Sequence, residues 1–116
     1  MKFEAYQAKK VEFDGSPDWI TAMDDNFQKL RGIDQRAKEA GQLLGRYVDE
    51  PVGDGKAIYQ VVDVKAKTVK LKLCTGMGDD YRVGYWGVNP TVKLAYVQQS
   101  IKARDMFAEI FAKKRV

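Results

Sequence analysis

The segment KTVKLKLC constrains the fold more than any other. Val69, Leu71 and Leu73 alternate with Thr68, Lys70 and Lys72. Successive side chains of a strand point to opposite faces, so this period of two sets an apolar row against a lysine row. Such a strand needs a sheet with one packed face and one wet face, the habit of antiparallel sheets. Ala66, flanked by Lys65 and Lys67, leaves room for a tight hairpin back to residues 57–64, which are rich in β-branched and aromatic side chains. Pro51, Gly53, Asp54 and Gly55 mark a turn before that stretch. Further on, YRVGYWG alternates again, with Tyr81, Val83 and Tyr85 on one side. Three or four short strands with short turns predict a small SH3-like antiparallel β-barrel or curled sheet.

Two long helices flank this core. Ser16 followed by Pro17 is a helix start, because the serine hydroxyl accepts from a free backbone N–H and proline fits the first helical position. Asp18 suits the positive end of the helix dipole. Ile20, Met23, Phe27, Leu30, Ile33, Ala37, Ala40 and Leu44 then follow at steps of three or four, one stripe on a 3.6-residue period. The spacing predicts a helix over 17–44, kinked or broken near Gly32, with Gly45 as its stop. Asn89 and Pro90 repeat the start signal, which predicts a C-terminal helix over 90–114. Leu94, Val97, Ile101, Ala108 and Phe111 share one of its faces; Tyr96, Ala103, Phe107 and Ile110 share roughly the opposite one. A helix apolar on two faces must be covered twice. Burial between the sheet and the first helix is the simplest arrangement, and a dimer contact through the second face is the rival. Residues 1–15 fit a short helix through Phe3, Tyr6 and Phe13, or a strand through Val11 and Phe13. The class is therefore α+β, one domain over 1–116, with the barrel core at 45–87.

Composition removes whole kinds of chemistry. The 116 residues contain no histidine. Ser-His-Asp and Cys-His nucleophile pairs are excluded, as is the commonest zinc ligand. No cofactor or metal site is expected. The single cysteine, Cys74, has no partner within the chain, which fits a reducing cytoplasm. No apolar run reaches the length needed to span a bilayer, so no membrane is expected. At 45% apolar and 31% charged residues the chain has enough of both to build one modest core. Its formal charge of +4 is compatible with nucleic acid without requiring it.

Residues 45–87 carry a resemblance. Pro51, Val52, Asp54, Gly55, Ala57 and Tyr59, then Gly76, Gly78, Asp79 and Tyr81, spell a PVxDGxAxY hairpin followed by a GxGDxY turn. In this the chain resembles a group of short uncharacterised phage and prophage proteins. The resemblance implies a mobile-element origin and a small accessory or counter-defence role. It transfers no activity.

Three groups of residues are candidate sites. Glycines beside Asp79 and Asp80 in GMGDDY can wrap backbone around a phosphate or cation, but no Gly-Lys-Ser/Thr follows and too few carboxylates alternate for a calcium loop. A strand-to-strand turn comes first and a ligand loop second. Asp54 and Asp79 serve acid–base work only if their turns meet. The basic row Lys65, Lys67, Lys70 and Lys72, joined by Arg82, with Tyr85 and Trp86 as stacking platforms, suits a single nucleic-acid strand or a partner protein. Its ordinary use is a wet strand face that resists aggregation. The chain is expected to be non-enzymatic and to bind a host protein, with a surface aromatic such as Trp86 as anchor. Nucleic-acid binding by the lysine hairpin is the alternative.

Overall fold

The computed structural model describes residues 5–6, 18–52, 55–74 and 86–114. The alternating segment is strand β3 (Thr68–Leu73), with Val69, Leu71 and Leu73 buried and Lys70 and Lys72 exposed. It pairs antiparallel with β2 (Gly55–Val64), which pairs antiparallel with β1 (Tyr47–Val52). The β2–β3 hairpin turns through Lys65, Ala66 and Lys67, closed by the Lys65 N–H donating to the Thr68 carbonyl at 2.8 Å. A fourth strand, β4 (Thr91–Lys93), pairs with the other side of β3. The four form one antiparallel sheet in the order β1-β2-β3-β4, curled into half a barrel and packed with two helices. The architecture is α+β, and the sheet is antiparallel as the alternation predicts.

Helix α1 (Asp18–Glu39) runs unbroken through Gly32 and ends before the expected stop at Gly45. Gly41, with φ of 69°, ends it: the Gly41 N–H donates to the Lys38 carbonyl and the Gln42 N–H to the Ala37 carbonyl, a left-handed cap. Leu44 continues the apolar stripe in sequence, but it and Leu43 leave the helix to pack against the sheet.

Helix α2 (Leu94–Lys114) starts later than the Asn89-Pro90 signal suggests. The competing interaction is the free side of β3. The Pro90 carbonyl accepts from the Leu71 N–H and the Val88 carbonyl from the Leu73 N–H, so this stretch is drawn into the sheet. Pro90 has no N–H to return to the ladder, and the regular strand begins at Thr91.

The sheet separates two apolar clusters, and this corrects the expectation that the last helix lies between sheet and first helix. On one face Val48, Ala57, Tyr59, Val61, Val69 and Leu71 pack with Val97 and Ile101 of α2. On the other, Ile58 and Cys74 pack with Leu30 and Ile33 of α1 and with Tyr6. The alternation along β2 assigns Ile58 and Tyr59 to opposite helices. Of the N-terminal stretch, Tyr6 is held by its N–H donating to Gln60 Oε1 at 2.8 Å. The expected strand at 81–85 lies outside the described residues.

Candidate functional site

Three features of this frame present chemistry outward: a lysine face, an ion-paired junction beside a groove, and the far end of α2.

The lysine face follows from register. Lys70 lies opposite Asp63, Lys72 opposite Gln60, and Lys93 opposite Thr68. Lys93 therefore joins Lys70 and Lys72 on one exposed face, with Lys65 and Lys67 at the hairpin tip. Lys93 was not grouped with them from the sequence because the segment read as helix. Lys65 Nζ meets Asp63 Oδ2 at 3.4 Å, an exposed pair of small energetic worth. Trp86 does not stand beside these lysines. Its ring packs on Tyr59 and Tyr96, each at 5.4 Å between centroids, on the opposite side of the sheet. The Tyr59 hydroxyl donates to the Gly87 carbonyl at 2.9 Å and secures that corner. Arg82 and Tyr85 lie outside the described residues, as do Asp54, Asp79 and Asp80, so the turn and ligand-loop readings rest on sequence alone. Among the described residues the lysine face has charge without a stacking platform.

The junction forms where both helices pass the open edge of β1. Asp34 of α1 is buried, and its Oδ1 accepts from Arg46 Nε at 2.7 Å, from Arg104 Nη2 at 2.7 Å and from the Tyr47 N–H at 3.1 Å. Arg46 Nη2 also donates to Asp105 Oδ1 at 2.7 Å. Arg104 Nη1 donates to the Tyr47 carbonyl, and its guanidinium lies 3.6 Å from the centre of the Tyr47 ring. The Val61 N–H donates to the Arg46 carbonyl, so Arg46 faces β2 and Tyr47 faces the open edge. Asp34 and Arg104 thus satisfy both backbone groups of an edge residue, a side-chain cover for an otherwise adhesive edge. Burial disfavours the Arg46 charge, but the bonds to Asp105 and Asp34 outweigh it and hold its pKa above the ordinary value. Burial likewise raises the Tyr47 phenol, against the opposing pull of Arg104.

None of these four charged residues stood out in the sequence, although a signal was there. Arg104 and Asp105 interrupt the Leu94-Val97-Ile101 stripe at the next apolar position, and Asp34 sits beside Ile33 on the stripe of α1. Beside the junction lies an open groove of about 430 Å³ between α1 and α2. Arg31, Lys38, Tyr47, Arg104 and Ala108 are among the residues that line it.

The third feature is an overhang. Ile101 is the last buried residue of α2. From Met106 to Lys113 every side chain is exposed, including Ala108 and Ala112 in the phase that packs on the sheet nearer the N-terminus. At 1.5 Å per residue that is about 12 Å of helix standing clear. It carries Met106, Phe107, Ile110 and Phe111, from 50% exposed at Ile110 to 65% at Phe107. The Phe107 and Phe111 rings touch at 6.0 Å between centroids.

Two buried groups bear on reactivity. Burial pushes the Cys74 thiol up to about 12, against the pull of Lys72 and a backbone hydrogen bond at Gln60. The thiol is therefore neutral at pH 8, and iodoacetamide is expected to leave it unmodified until denaturant is added; fast alkylation of the native chain, followed by mass spectrometry, would contradict this. Glu50, on the core side of β1, has Oε2 buried with no hydrogen-bond partner among the described residues. Among the described residues no group of His, Cys, Asp or Glu is placed to hold a metal, and no helix is long and apolar enough to cross a membrane. No protein-family model, curated protein or solved structure matches the chain.

Proposed function

We propose that the chain is a non-enzymatic binding protein that docks on another protein through the overhang of α2. One observation carries this reading: four large apolar side chains stand exposed within six residues of a helix that has run past its own core. Contiguous apolar surface of this kind marks interaction sites more often than accident, and an amphipathic helix laid into a groove is a recurrent mode of recognition. Phe107, fully outside the core, is a stronger anchor than Trp86, whose half-buried ring packs on Tyr59 and Tyr96. The resemblance of residues 45–87 to phage and prophage proteins supports a host protein as partner, a defence-system component among them. The neutral buried thiol is compatible with a reducing cytoplasm.

The test is a tagged pull-down from bacterial lysate, with and without nuclease, read by mass spectrometry. One stoichiometric protein that survives nuclease is the expected result. A broad set of nucleic-acid proteins lost on nuclease treatment would overturn it.

The register of Lys93 beside Lys70 and Lys72 favours a second reading, nucleic-acid binding by the lysine face. It requires binding to a single-stranded oligonucleotide that falls steeply with salt and is lost in Lys70→Glu/Lys72→Glu. Binding unaffected by that charge reversal, measured by fluorescence anisotropy, removes this reading.

A further inference from the structure

The overhang and the groove are one surface. Arg104, Ala108 and Phe111 are spaced i, i+4, i+7 and share a helix face, so the groove's α2 wall borders the exposed Phe107–Phe111 pair. Lys102, Met106, Glu109 and Lys113 share the face on the far side of the same apolar row. Charges along this surface are unequal in their freedom. Asp34 and Asp105, the groove's acids, are held by Arg46 and Arg104. Arg31 and Lys38, on the opposite wall, are exposed and make no ion pair among the described residues. Arg31 lies along the Phe27 ring, 6.0 Å from its centre, and Phe27 meets Tyr47 edge to face. The surface therefore offers an apolar row beside a concave wall of unneutralised cations, with no free acid in the groove.

Resting on the docking reading above, we propose that the partner presents an acidic amphipathic segment of polypeptide. Its apolar residues lie on Phe107, Ile110 and Phe111, and its carboxylates meet Arg31 and Lys38. A second copy of this chain is a poor occupant, because its own overhang offers Arg31 and Lys38 a single acid, Glu109, set between Lys102 and Lys113. An anionic bilayer is flat and matches the apolar row, but it leaves the concave wall between the helices unused. Complementary charge also gives the contact its speed and selectivity.

A display library of random 16-residue peptides, selected on the full chain, tests this. The expected winners carry apolar residues at helical spacing and a net negative charge. Their affinity should fall about tenfold or more on Arg31→Glu/Lys38→Glu, both exposed positions, whose fold circular dichroism checks, and about 30-fold or more on Phe107→Ser. Winners that are neutral or basic, or no winners, would overturn the acidic class. Winners lost on Phe107→Ser but indifferent to the charge reversal also overturn it, while leaving the apolar docking reading in place. Winners indifferent to Phe107→Ser remove docking by the overhang itself. Vesicles of phosphatidylglycerol that bind the chain through Phe107 and displace the peptides would reassign the surface to membranes.

Discussion

Asp34→Ala is expected to destabilise the chain by about 3–5 kcal/mol, the range for stripping one partner from a buried ion pair. The cause is what the carboxylate leaves behind. Arg46 keeps its charge with a side chain only 7% exposed and only Asp105 to meet it. Arg104 loses the bond at Nη2, and the Tyr47 N–H loses its acceptor at the sheet edge. Domains of this size hold about 5–15 kcal/mol in all, so the variant would sit near the threshold of folding. The effect also reaches beyond one contact, because Asp34 ties α1 to the β1 edge and to α2 at a single oxygen. Urea unfolding followed by circular dichroism measures it. A loss under about 1 kcal/mol would mean that the junction is dispensable and that the two apolar clusters alone hold the helices to the sheet.

Phe107→Ser should behave in the opposite way. The side chain is 65% exposed and touches Phe111 rather than the core, so stability should stay within about 0.5 kcal/mol of the parent. Partner affinity should fall by about 2 kcal/mol or more, about 30-fold, as for the central anchors of known interfaces. Titration calorimetry with the captured partner measures the second quantity and thermal melting the first. A variant that melts early and binds normally would make Phe107 a structural residue. The pair of substitutions separates the residues that hold this fold from those that face outward from it.

Much of the frame was legible because it is written in short periods. The two-residue alternation of Thr68–Leu73 fixed β3 and its wet lysine face, and the stripe of Leu30, Ile33 and Ala37 fixed the packed side of α1. Local signals failed where a distant partner competed for the same backbone. Asn89-Pro90 reads as a helix start, but the unpaired side of β3 claims Val88–Lys93 first. The stripe of α1 continues to Leu44, yet Gly41 caps the helix and the sheet takes Leu43 and Leu44. The candidate surface was half legible. Two apolar faces on α2 were evident from spacing, but only the arrangement of the sheet shows that one face is covered and that Met106 to Lys113 lies beyond it. The junction was not legible, because its four charges come from three separate segments and each looks like an ordinary solvated residue in its own.

Amide hydrogen exchange on the chain alone and with its captured partner tests docking by α2 most directly. Every side chain from Met106 to Lys113 is exposed, so the amides of the overhang should exchange quickly in the free chain. Binding should slow exchange strongly over residues 102–114 and leave the β2–β3 hairpin unchanged. Protection confined to the hairpin at residues 65–73, with 102–114 exchanging as before, would contradict it and place the interface on the lysines.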